Sequence, residues 1–165
     1  MGKQRGLTGG EIALARAAFG NKIDYGPVKL ADGPGMEPLA LIAFARGNPA
    51  ITVESIVYFK QDYCPDFSAA GKNRASFIHE MTHVWQYQRL GLIAFAARYG
   101  VDFAKAGGKP EDMYKFDAGK TRFKDAMLEA QAAMVEHYSD ALWRKQEARA
   151  AQLAKNLAGS GVYGL

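Results

Sequence analysis

Apolar positions recur at helical spacing through the last two thirds of this chain, and as short strand-like runs before them. Thr8-Gly9-Gly10-Glu11 has the form of a capping box, with Thr at the N-cap and Glu three residues on. Ile12, Ala15 and Phe19 then share one face, and Gly20 supplies a stop, so a short packing helix is expected. A Val28-Lys29-Leu30 alternation followed by Gly33, Pro34, Gly35 and Pro38 reads as a short strand and an irregular loop. Residues 39–44, 51–53 and 56–59 are β-rich runs separated by Gly47-Asn48-Pro49, which predicts a small, mostly antiparallel sheet. Its 55–59 strand is a candidate edge for an extended peptide, or else an ordinary core strand.

Downstream the period changes. Asn73 can cap a helix running to about Leu90 and stopping at Gly91. On it Phe77, Met81, Val84 and Trp85 form a core face, and Ala75, Thr82, Gln86 and Arg89 a wet stripe. Residues 92–106 suggest another helix, with Ile93, Ala96, Ala97, Tyr99 and Phe103 packing inward, broken at Gly107-Gly108-Lys109-Pro110. Residues 121–157 read as one long helix, and the composition of 158–165 is that of a flexible tail. The expected fold is α+β, a single domain over 1–157 in which the small sheet packs against the 73–90 helix and the long C-terminal helix.

With 165 residues the chain can bury a proper core, and 48% hydrophobic and 23% charged residues are ordinary for a globular protein. The formal net charge of +4 is spread along the sequence rather than gathered in a basic stripe, which argues against nucleic-acid binding. Cys64 is the only cysteine, so no intrachain disulfide forms and finger-type structural zinc is excluded. That thiol is a remote candidate to cap a metal and otherwise a quiet free cysteine. No stretch has the length of a membrane span, and the Met1 to Leu7 segment lacks an apolar signal core. Cytoplasmic synthesis, or export without a cleavable signal, is the expectation.

The chemistry lies in the 73–90 helix. His79-Glu80-Met81-Thr82-His83 is an HExxH motif, and it holds two of the three histidines in the chain. Residues four apart on a helix lie on one face, so both imidazoles can reach one zinc ion per chain, and Glu80 can serve as general base on its water. The plainer alternative is a core helix whose histidines only hydrogen-bond. A catalytic site wants a third protein ligand. The HExxHxxGxxH pattern is ruled out, because Gln86 and Arg89 occupy its Gly and third His places. Glu129, set among Ala126, Ala130, Ala132 and Ala133, is the first candidate, ahead of Glu136 and His137. Arg122, Asp125, Glu129, Glu136 and Asp140 could equally be a solvated helix face. Tyr138 and Tyr114 are candidate donors to a developing oxyanion.

The chain resembles a family of small HExxH zincin-like proteins described as Vgr-related and associated with Vgr/Rhs type VI secretion genes in bacteria. The resemblance runs through Leu7 to Ile12, Phe19-Gly20, Ile23 to Tyr25, Asp66 to Ser68 and Phe77 to Gln86. It continues through Tyr114 to Phe116, Gly119-Lys120 and Glu129 to Ala132. The family's N-x-E-Q-Q-A keeps its glutamate as Glu129, but Met127 and Ala130 replace the Asn and first Gln, and His137 a later Asp. The resemblance implies a zincin-like fold and a gluzincin-type metallopeptidase, with Zn²⁺ on His79, His83 and Glu129, acting on a peptide or protein substrate. Its alternative is a zinc-binding, non-catalytic accessory protein of a Vgr/Rhs secretion particle.

Overall fold

Residues 3–165 are described by the structure, a computed structural model; Met1 and Gly2, the start of the expected domain and of the segment read for a signal, lie outside the described residues. The elements are β1 (Gln4–Gly6), α1 (Gly9–Phe19), β2 (Lys29–Asp32), α2 (Pro38–Ala45), β3 (Ala50–Val53) and β4 (Ile56–Phe59). After them come α3 (Arg74–Leu90), α4 (Leu92–Lys105), α5 (Leu128–Trp143) and α6 (Glu147–Leu157), with short 3-10 turns at Pro110–Tyr114, Phe123–Asp125 and Val162–Gly164.

The sheet is mixed, in the order β1-β2-β4-β3. The outer pairs are antiparallel and the central β2–β4 pair is parallel, with Leu30 opposite Val57. Parallel pairing needs a crossover, and α2 lies within it. Side chains alternate across the sheet. Leu30, Val57 and Phe59 face the main core with α1 and α3, whereas Ala31 and Tyr58 face Ala40, Ala43 and Phe44 of α2. The sheet is therefore covered by α3 on one side and α2 on the other. The 55–59 run is β4, paired on both flanks, and the edges of the sheet are β1 and, beside α3, β3.

Three of the expected elements change. Residues 39–44 belong to a helix, α2, which starts at the Glu37 cap with Pro38 in its first turn. Its apolar residues run all round, so no helical period showed. The expected 121–157 helix is a 3-10 turn followed by two helices, broken where Lys145 takes φ 55°. Residues 158–165 are not a loose end: Val162 is fully buried in the main core, and Tyr163 shares a 2.6 Å hydrogen bond with Ser139.

Local signals explain the rest. Thr8 and Glu11 form the full capping box, and Glu11, wholly buried, also accepts both forks of Arg5 and the Phe67 amide. Removing one partner of such a buried pair costs about 3–5 kcal/mol. Asn73 caps α3 through the Ser76 amide, and Gly91, at φ 79°, ends it. On α4, Ile93 is 86% exposed and Phe103 lies outward, while Phe95 and Asp102 turn inward. Asp102 accepts a hydrogen bond from the Leu128 amide, so α4 caps α5. Among the described residues no helix is long and apolar enough to cross a membrane.

Candidate metal centre

Ten consecutive residues of α3, Phe77 to Gln86, are buried. Such a helix can only be enclosed by neighbours that accommodate its polar side chains, and α5 does this. It packs on α3 through Ala130 and Met134, whose small and flexible side chains allow close approach. That approach brings Glu129 to the two histidines. Glu129 Oε2 lies 3.3 Å from His79 Nε2 and 3.0 Å from His83 Nε2. One donor atom from each of the three residues falls within 4.8 Å of the others.

The outer ring nitrogens are held as a metal site requires. His79 Nδ1 is 2.8 Å from Glu136 Oε2. His83 Nδ1 is 2.8 Å from Gln86 Oε1. Gln86 uses its amide nitrogen to donate to the Leu128 carbonyl and to Gln131 Oε1, so its oxygen must be what faces His83. The proton of neutral His83 therefore sits on Nδ1, and the Nε2 lone pair points to Glu129. Two imidazole nitrogens and a carboxylate oxygen, with outer nitrogens anchored, fit a zinc ion with a position left for water.

The electrostatics favour positive charge in this place. Burial opposes a charged His79, but hydrogen bonds to Glu129 and Glu136 outweigh it and push its pKa up to about 10. For His83, burial is again outweighed, here first by the charge of Glu129, and its pKa is raised. Burial alone would raise Glu129; His83 and His79 hold it instead well below the usual carboxylate range. A divalent cation would take the place of those two imidazole protons.

Glu80 follows His79 and lines the same cleft. Its Oε2 accepts a 2.7 Å hydrogen bond from Thr52 Oγ1 on the edge strand β3, which leaves Oε1 as the oxygen available to the cleft. The cleft measures about 400 Å³; β3 with Leu39 and Ile42 of α2 forms one wall, and Phe95, Ala96, Tyr99 and Tyr114 the other. The Tyr114 ring stacks on His79 with centroids 5.9 Å apart. Burial and the negative charge of Glu129 raise the pKa of both Tyr99 and Tyr114, so both phenols keep their protons as hydrogen-bond donors.

The remaining sequence candidates lie elsewhere. Tyr138 packs on Tyr163 and is outside the cleft. His137 sits against Phe116. Glu136 stands behind His79 rather than in the cluster, and Asp140 pairs with Arg144 and Arg149. Cys64 is buried away from the site, and burial pushes its thiol pKa up. Gln86 and Thr82, expected in a wet stripe, are buried. For Gln86 the spacing was available, since a residue three after His83 shares its face. Thr52 and Tyr99 come from distant segments, and nothing local marked them.

No protein-family model matches the chain. The chain is 31% identical over 137 residues, 81% of its length, to the type VI secretion system spike protein VgrG2b of Pseudomonas aeruginosa, and spans only 13% of that protein. Its fold is similar to the solved effector domain of Pseudomonas aeruginosa VgrG2b, with a TM-score of 0.66 and 28% identity, covering 94% of this chain and 82% of that one. Sequence and fold together liken the chain to a type VI secretion effector domain, and the chain itself carries a buried His79, His83 and Glu129 cluster able to bind a metal ion.

Proposed function

We propose that this chain is a zinc-dependent metallopeptidase of the gluzincin type, working as an effector domain of a Vgr/Rhs-type secretion system. The observation that carries the reading is the convergence of both HExxH imidazoles on Glu129, with Glu80 beside them in the same open cleft. Zinc bound by His79, His83 and Glu129 would supply Lewis acidity, bringing the pKa of a water toward ~7 and polarising a carbonyl.

The chain's own groups do the rest. Glu80, oriented by Thr52, takes the water's proton on Oε1 and passes it to the leaving amine. Tyr99 and Tyr114, protonated and facing the cleft, are the donors for the oxyanion that forms on the scissile carbonyl. The open edge of β3 can pair with an extended substrate backbone, so that the peptide lies across the cluster. Delivery by a spike to a target outside the producing cell fits a chain without a membrane-crossing helix among its described residues.

Elemental analysis of protein purified without an affinity-tag metal tests the site. Close to one zinc per chain, lost in Glu129→Ala, supports it, and no zinc even after reconstitution overturns it. Peptide cleavage abolished by Glu80→Gln with zinc retained supports the enzyme. Zinc without hydrolysis, together with stable binding to a Vgr-type spike, selects the accessory-protein reading instead.

A further inference from the structure

A cavity of about 650 Å³ shares no lining residue with the metal cleft. It is bounded by the C-terminal end of α3, the start of α5, the 3-10 turn before α5 and the residues that follow α6. Arg89, Arg98, Arg122 and Lys124 line it, and no aspartate or glutamate does. Arg122 is matched by Asp125 just beyond the rim. Among the described residues, Arg89, Arg98 and Lys124 have no carboxylate within ion-pair distance. Arg98 donates to the Ala126 carbonyl, and Arg89 lies 5.4 Å over the Trp85 ring. An adjoining hollow, sharing Trp85, Arg89 and Ser160, adds Lys22.

Backbone dipoles do not balance this charge. The positive end of α5 and the negative ends of α3 and α6 open here, each worth about half a charge, which leaves about half a negative charge against the cations. Three unmatched cations round one concavity repel each other and focus a positive field into it. The floor is fixed, because Gln86 and Gln131 are buried, hydrogen-bonded to each other and satisfied. A volume of this size suits a small ligand rather than a flat protein surface. Guanidinium forks match phosphate oxygens in pairs.

We propose that this cavity binds a compact multivalent oxyanion of the di- or triphosphate class, either free or as the phosphate tail of a nucleotide. Trp85 lies beneath Arg89 and reports on occupancy through its fluorescence. The experiment titrates inorganic triphosphate, and separately adenosine triphosphate, into the full chain at fixed ionic strength. Wild type, Arg89→Glu, Lys124→Glu and His79→Ala are compared, with tryptophan emission and calorimetry as readouts. Arg89 and Lys124 are exposed, so neither substitution disturbs the core.

The expected result is saturable binding, weakened at least about tenfold by each charge reversal and kept in His79→Ala. Binding should also weaken steeply as salt is raised. Equal affinity for the two probes assigns the free oxyanion, and adenosine triphosphate tighter by about tenfold assigns the nucleotide. Binding lost in His79→Ala but kept in the charge reversals belongs to the metal cluster and overturns the proposal, as does no saturable binding of either probe.

Discussion

Glu136 Oε2 holds Nδ1 of His79 at 2.8 Å from a position two helical turns beyond Glu129 on the same helix. One face of α5 thus supplies both the inner carboxylate of the cluster and the outer one that aims a ligand ring. Glu136→Gln should weaken zinc binding about 10- to 100-fold without unfolding the protein. Competition against a fluorescent chelator measures this. Unchanged affinity would assign Glu136 to the solvated face that its spacing also allowed.

Gln86 performs the matching task for His83 from within α3. Gln86→Leu leaves the His83 Nδ1–H and the Gln131 Oε1 buried without partners. A loss of about 1–3 kcal/mol in metal-free stability is expected from a denaturant midpoint, with weaker zinc binding beside it. Gln86→Glu keeps an acceptor for His83 and should restore part of the zinc affinity.

Thr52 reaches Glu80 from the edge strand. In Thr52→Val the shape is nearly kept while the hydrogen bond is lost. The catalytic rate on a peptide substrate should fall about tenfold at unchanged zinc content, with KM little moved. If KM rises and the rate holds, Thr52 serves substrate binding on β3 instead.

Protonation and metal binding compete at the same nitrogens. His79 has its folded-state pKa raised from 6.5 to about 10, so in metal-free protein its contribution to stability is complete below pH 6.5 and is lost as pH rises through about 10. Glu129 is shifted the other way, and its contribution is present above pH 4.5 and lost only in strong acid. Melting of chelator-treated protein should therefore be highest between those limits, near pH 5 to 6. Zinc must displace a proton from each imidazole, so its affinity should rise with pH across neutrality. Calorimetry in buffers of different ionisation enthalpy should show proton release on zinc binding, with His79 contributing about one proton near neutral pH.

The parts legible in the sequence were those set by local rules. The Thr8–Glu11 capping box, the Asn73 cap, the Gly91 stop and the HExxH spacing each declare themselves within one or two turns of chain. The bringing together of Glu129 with His79 and His83 was anticipated from the small residues around it and from family resemblance. What failed lacked a local mark. Residues 38–45 are apolar on every side, so their period says neither helix nor strand, although Glu37-Pro38 is a usable start signal. The break between α5 and α6 falls in Arg144-Lys145-Gln146, all good helix formers, with no glycine or proline to announce it. On α4 the chosen apolar set was one step off, because the inward face is marked by Phe95 and the polar Asp102. Tyr99 and Thr52 acquire their places only when four separate elements meet.

The burial of Val162 beside Ala15, Ala18 and Phe19 also has a bearing on time. The first helix cannot complete its core until a segment more than 140 residues later has arrived, with Lys22 donating to the Gly161 carbonyl across the same seam. Contacts so distant in sequence form slowly and late. A chain emerging from the ribosome would already have all of His79, Glu80, His83 and Glu129, yet would lack the piece that seals its core. The order of synthesis thus leaves the core around Phe19 unsealed until residues 160–165 have been made.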